Sequence, residues 1–243
     1  MNSSQQAPVK AINRCVRIHA DDVYLLGDLQ IPEESRSLVI FAYNCGRSRN
    51  NPRNRHAAQL MRSQGIGTLM CELMTEEEEV EDEACQTYRY DAELLARRLI
   101  AVTKWVEGES DLNHLRIGYF GACSGGAAAV IAAARLGDRI GALVSRGGRM
   151  DLALAHLPQV TCPTLLIVGS EDTVGMELNR EALPHLRCEK ALREVGGASH
   201  LFGEPCKIEE MARISADWFH RHLSDPSKRE YRYRETAAEP LTV

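Results

Sequence analysis

The stretch Gly118–Ala129, GYFGACSGGAAA, decides how this chain is read. An apolar run ends at Gly121-Ala122, a cysteine follows, and two glycines and three alanines come next. That order spells a buried strand, a sharp turn and a buried helix. The spacing Gly121-x-Cys123-x-Gly125 is the nucleophile-elbow pattern, with cysteine where serine is usual. Glycines flank such a turn because side chains there would collide with the strand and the helix. A helix that begins beside Cys123 points its positive end at the sulfur and favours a thiolate.

Working outward, strand-like and helix-like segments alternate. LVIFA within Ser37–Tyr43 is continuous and apolar, as a strand buried on both faces requires. A helix is expected over 52–64, with Pro52 in its first turn. Strands are expected over 67–73, around HLRIGYFG and IGALVSRGG, in CPTLLIVGS and over 189–195. Helices are expected over 88–107, from Ser124 onward, over 175–187 and over 205–222. The opening segment 14–31 reads as an antiparallel hairpin around ADD. Alternation of this kind implies an α/β domain, with a mostly parallel sheet of about eight strands and helices on both faces. One domain is expected over 1–223, with a polar C-terminal arm over 224–243.

The whole chain narrows the function classes. It has 243 residues and a formal net charge of −5, which argues against nucleic acid as a partner. No apolar run reaches the roughly 18 residues of a membrane span. The start MNSSQQAPVK lacks the apolar core of a secretion signal. The eight cysteines are scattered, without zinc-ligand spacing, and most sit in apolar runs. Reduced, buried thiols in a cytoplasmic protein are therefore expected, with no metal and no cofactor. Neither G-x-G-x-x-G nor a phosphate-loop motif is present.

A nucleophile needs a base, and the base needs an orienting group. LLIVGSED delivers Asp172 at a strand end, with Glu171 beside it as the rival. VGGASHLF delivers His200 in a glycine-rich loop. The order Cys123, Asp172, His200 fits the chain order of this architecture. Ser124 is a rival nucleophile, but Ala122 stands two residues before it where the pattern wants glycine. The oxyanion hole is expected from the amides of Ser124 and Cys45, with Asn44 as second choice for the latter. His220 and His222, on the last helix, are expected to be solvated.

These motifs together resemble the dienelactone hydrolase-like family of the α/β-hydrolase superfamily, over roughly 14–222. The resemblance implies an α/β-hydrolase fold and a Cys-Asp-His triad at Cys123, Asp172 and His200. In that family a glutamate in the oxyanion loop controls the resting thiol; the matching position here is Asn44. SRNNPRNR and VSRGGRMDL resemble a related bacterial subgroup that mostly carries a serine nucleophile. That subgroup opens the oxyanion loop with His-Gly, where this chain has Tyr43-Asn44.

The expected activity is hydrolysis of a small ester, lactone or thioester. The alternatives from other classes are a non-catalytic small-molecule binding module and an acyltransferase using the same triad. A homodimer is left open. Among the arginines at 47, 49, 53 and 55, Arg49 is the first choice to hold a substrate carboxylate, since a guanidinium fork matches carboxylate geometry. Tyr43, Arg146 and Arg149 are further candidates for the substrate site. The acidic run EEEEVEDE over 76–83 reads as a solvated helix start, with a lid as the other option.

Overall fold

The computed structural model describes residues 10–43 and 48–224. The chain first forms the hairpin β1 (Ile12–Ala20) and β2 (Val23–Ile31), then β3 (Ser37–Tyr43), α1 (Pro52–Ser63), β4 (Gly67–Glu72) and α2 (Glu76–Cys85). It continues through α3 (Ala92–Gly108), β5 (Arg116–Ala122), α4 (Ser124–Leu136) and β6 (Ile140–Arg146). It ends with β7 (Thr164–Gly169), α5 (Thr173–Ala182), β8 (Lys190–Val195) and α6 (Lys207–Leu223).

The eight strands form one sheet in the order β1-β2-β4-β3-β5-β6-β7-β8. β1/β2 and β2/β4 are antiparallel, and every pairing from β4 to β8 is parallel. The chain leaves β3 toward β4 on one side and returns through β5 on the other. That reversal leaves a crevice at the carboxyl ends of β3 and β5, where open α/β sheets bind ligands.

Both faces of the sheet are covered, so the central strands are apolar throughout rather than alternating. One face packs Ala57, Ala58 and Met61 of α1 and Met211, Ala212 and Phe219 of α6 against Phe41, Phe120 and Ile167. The other packs Leu95, Leu99 and Val102 of α3 and Ala127 to Ala133 of α4 against Ile40, Ile117 and Tyr119. No helix among the described residues is long and apolar enough to cross a membrane.

Several expectations need correcting. The helix expected from residue 88 starts at Ala92, after a short 3-10 turn over Tyr88–Tyr90. Asp91 sets the start by accepting a hydrogen bond from the Leu94 amide at 2.8 Å. The 3-10 stretch Met150–Gln159, which packs Met150, Ala153 and Leu157 into the core, was not expected at all. His222 is not solvated. It is 2% exposed and packs against Trp218, the rings tilted at 57° with centroids 4.4 Å apart.

The acidic run is a true helix, α2, opened by a capping box between Thr75 and Glu78. It is not solvated throughout: Asp82 is buried against Arg89, and Glu78 forms a two-pronged pair with Arg98 at 2.6 Å. The cysteines also divide. Cys71 and Cys162 are buried, but Cys15, Cys85 and Cys206 are exposed, because each of these three falls outside the sheet interior. The polar arm beyond Ser224 lies outside the described residues.

Candidate active site

The carboxyl end of β5 carries Cys123 into the crevice. Its backbone sits at φ 53° and ψ −128°, a conformation that costs a non-glycine residue strain energy. The strain is held by close packing on both sides of the turn. A Cβ on Gly125 would lie 2.0 Å from the Ala42 carbonyl oxygen, and one on Gly121 would lie 2.6 Å from Gly126 Cα. No side chain fits either place, which is the physical reason for glycine at both positions. The Cys123 carbonyl accepts from the amides of Gly126 (3.1 Å) and Arg149 (3.0 Å), so the turn is tied to α4 and to the segment after β6.

His200 Nε2 lies 3.1 Å from Cys123 Sγ, and His200 Nδ1 lies 2.6 Å from Asp172 Oδ2. Three residues that are far apart in sequence therefore meet in one line of contacts. Asp172 lies three residues after β7 and caps α5: its Oδ1 accepts from the Gly175 amide at 3.0 Å, leaving Oδ2 for the imidazole. The rival Glu171 is turned elsewhere, with Ser170 Oγ donating to it at 3.1 Å.

The His200 loop is anchored on both sides. The Glu171 amide donates to Ala198 O at 3.0 Å, and the Glu204 carboxylate accepts from the Ser199 amide at 3.0 Å. Phe202, two residues after His200, is fully buried at φ 54°.

The electrostatics follow from these contacts. The hydrogen bond with Cys123 is the largest upward influence on His200 and the Asp172 contact adds to it. Burial opposes both, and the net effect pushes the imidazole up to about 9. Tyr43, buried and 5% exposed at the end of β3, has its phenol pushed far above the ordinary range by burial, so it stays neutral.

The other expected site residues are placed unevenly. Ser124 opens α4 and is buried; its hydroxyl donates to the Arg89 carbonyl, so it is not the residue facing His200. Asn44 and Cys45 lie outside the described residues. A cavity of about 90 Å³ beside Cys123 includes Tyr43 and Arg146 in its wall, together with Arg53, Phe202 and Met211. Arg146 also reaches the His200 carbonyl at 3.4 Å and lies 5.6 Å over the Phe202 ring.

Arg49 is not in that wall. Asp28 at 3.0 Å and Glu72 at 3.6 Å hold it instead. Arg149 is gripped by Asp151 at 2.7 Å and lies 5.5 Å from the Tyr90 ring centre, and it is not among the described residues that line the cavity. Reading the sequence also missed Phe202, Leu201, Ile208 and Met211 as cavity residues. The available signal was Leu201-Phe202 directly after the histidine and the apolar stripe of α6.

The comparisons bear on this arrangement. The dienelactone hydrolase family profile matches residues 29–217. The chain belongs to the dienelactone hydrolase family. The crystal structure of dienelactone hydrolase from Anabaena variabilis is similar at TM-score 0.85 and 42% identity, covering 88% of this chain and 99% of that one. Est1E from Butyrivibrio proteoclasticus, solved with ferulic acid bound, matches at TM-score 0.72 and 15% identity over 86% of this chain and 100% of its own, a likeness of fold alone.

A Mycobacterium tuberculosis protein named "Putative phosphoribosyl transferase" is 44% identical over 211 residues, 87% of this chain and 47% of its own length. The chain thus spans about half the length of the curated relatives it matches. Family and fold support a hydrolase.

Proposed function

We propose that the chain hydrolyses a small ester, lactone or thioester through an acyl-enzyme on Cys123, with His200 as acid and base and Asp172 orienting the imidazole. The observation that carries this reading is the unbroken line Cys123–His200–Asp172, with contacts of 3.1 and 2.6 Å. Such reach between nucleophile, base and orienting carboxylate is what acyl transfer requires.

In the first half, the sulfur attacks the carbonyl carbon and an S–C bond forms. The bond to the leaving group breaks, and that group takes the proton from His200 Nε2. In the second half, water gives a proton to Nε2, its oxygen bonds to the carbonyl carbon, and the S–C bond breaks to release the acid. The shift of His200 suits both halves. With the sulfur free, the imidazole pushed up to about 9 holds the proton that the leaving group needs. Acylation removes the hydrogen bond with the Cys123 sulfur, the largest upward influence, together with the sulfur's charge, so the imidazole moves down toward its ordinary value and can accept a proton from water.

The amide of Ser124 and that of Cys45 or Asn44 remain the proposed oxyanion donors. Arg53 and Arg146, both on the cavity wall, are the proposed partners of a substrate carboxylate. The transferase name of the mycobacterial relatives is not carried over. The half of those proteins that this chain matches necessarily includes most of the stretch with the hydrolase profile.

Intact-mass spectrometry after mixing with p-nitrophenyl acetate tests the proposal. An acetyl adduct on the wild type, absent from Cys123→Ala and decaying as product accumulates, is expected. Full turnover by Cys123→Ala would sink it.

A further inference from the structure

We propose that the acidic connection between β4 and α3 is a strap that aims the Ser124 amide, with Asp82 as its positioning residue. The inference rests on the nucleophile reading above and names residues away from the sulfur on which the proposed oxyanion donor depends.

It starts from a helix with its faces reversed. Within the run EEEEVEDE, α2 turns Val80 outward, 71% exposed, and buries Asp82 completely. Carboxylates are buried where they are paired, and Asp82 is paired above all with one residue, Arg89. Its Oδ1 accepts from the Arg89 amide at 3.1 Å, its Oδ2 accepts from Arg89 Nε, and its backbone carbonyl accepts from Arg89 Nη2 at 3.2 Å. Gln86, in the left-handed region at φ 53°, ends α2, after which Arg89 returns to Asp82. Burial raises the Asp82 carboxyl, but the hydrogen bonds from Arg89 outweigh it and hold the group below its ordinary value, ionised.

The Arg89 backbone, fixed by these bonds, presents its carbonyl to Ser124, whose Oγ donates to it. Ser124 is 2% exposed and directly follows the nucleophile. Its N–H shares one rigid peptide plane with the Cys123 carbonyl. That carbonyl accepts from the Gly126 and Arg149 amides at 3.1 and 3.0 Å. The peptide group is thus held at its oxygen by α4 and the segment after β6, and on the Ser124 side by the strap. The strap meets the same segment again, with the Tyr90 ring centre 5.5 Å from the Arg149 guanidinium. Its first turn is anchored on α3, where Arg98, 2% exposed, grips Glu78 with two bonds of 2.6 Å and donates to the Leu73 carbonyl at 2.8 Å. Donors aimed at charge that develops only in the transition state raise kcat rather than lower KM.

The experiment uses the full chain, p-nitrophenyl acetate and two variants. Ser124→Ala removes the tether and keeps the amide. Asp82→Asn can satisfy only one of the two Arg89 donors that its carboxylate holds. Acylation and deacylation both pass through an oxyanion, so kcat reads the aim of the amide whichever is slower. Losing an oxyanion donor outright costs about a hundredfold or more, and a donor kept but mis-aimed loses part of that, so kcat is expected to fall about tenfold in each variant. KM is expected to stay within about twofold. Alkylation of Cys123 by iodoacetamide is the control. There the sulfur displaces iodide from carbon and no oxyanion forms, so its rate is expected to stay within about twofold. The double variant is expected to lose no more than the larger single loss, because both changes act through one contact.

Should Asp82→Asn fold poorly, Ser124→Ala, which leaves α2 untouched, carries the test alone. An unchanged kcat in Ser124→Ala overturns the proposal while leaving Cys123 as nucleophile. So do fully additive losses, or a kcat and an alkylation rate that fall together, since the strap would then only prop up the turn. Absence of any acyl adduct on Cys123 in the wild type overturns both readings.

Discussion

Cys123 and Cys162 are the same residue in two regions of one sheet, in very different surroundings. Cys162 sits at the amino end of β7, 4% exposed, and burial pushes its thiol up to about 12. Cys71, inside β4, is likewise pushed up to about 12 by burial. Cys123 sits at a carboxyl end, on a strained turn, against an imidazole and at the start of a helix. Burial in an apolar interior disfavours the charged form of a thiol, whereas a cationic neighbour and a helix amino end favour it. The difference lies in position on the sheet rather than in residue type.

The largest effect that should separate the two is loss of activity. Cys123→Ala should lower kcat/KM on p-nitrophenyl acetate by about a thousandfold or more, the scale seen when a nucleophile is removed. Cys162→Ala should leave it within about twofold, as expected of a residue remote from the chemistry. Comparable losses from the two would erase the contrast. Reactivity comes next. In the native protein at neutral pH, iodoacetamide should modify Cys123 about a hundredfold faster than Cys71 or Cys162, as peptide mapping by mass spectrometry would show.

A third test uses pH. The folded-state value of His200 is raised, so the protonated form is bound more tightly by the fold than by the unfolded chain. The stability it contributes is fully present below about 6.5 and disappears as pH rises through about 9. Melting temperatures should therefore converge between wild type and Cys123→Ala as pH climbs across that window. Cys162→Ala should run parallel to wild type. Hydrolysis of a simple alkyl ester, which needs a protonated leaving group, should also decline above about pH 9. A p-nitrophenyl ester, whose leaving group needs no proton, should not follow that decline.

The smallest effect is on the core. Cys162→Ala should cost about 1 kcal/mol in urea unfolding, the scale of a small buried truncation, and change nothing in the active-site titration. A stability loss accompanied by a shift in the Cys123 alkylation profile would mean that the two regions are coupled.

The fold and the candidate site were legible to different depths. Ser37–Tyr43 and Arg116–Ala122 announce central strands because both of their faces are buried, so apolar residues run on without a polar beat. The turn at Cys123 was legible because backbone crowding admits only glycine at 121 and 125, and a steric rule of that kind is written locally. Asp172 and His200 were legible because chain order places them at successive strand ends.

The cavity wall was not legible. Arg49 and Arg53 are four residues apart in the same basic run and look alike in sequence. Asp28, brought from β2, and Glu72, brought from β4, capture the first; the second reaches the cavity. His222 appeared solvated by its place near the end of an amphipathic helix. The core against which α6 packs, with Trp218 one turn away, buries it instead.

The sequence by itself determined the order of strands and helices, the sharp glycine-flanked turn, and the identity of the three residues that meet there. Each rests on rules that act over a few neighbouring residues: periodicity, steric exclusion and the order of strand ends. Only the tertiary structure decided which arginine faces the cavity, which thiols are buried, and which side chains wall the space beside Cys123. Those depend on charge partners and packing contributed by segments more than a hundred residues apart, and no local pattern records them.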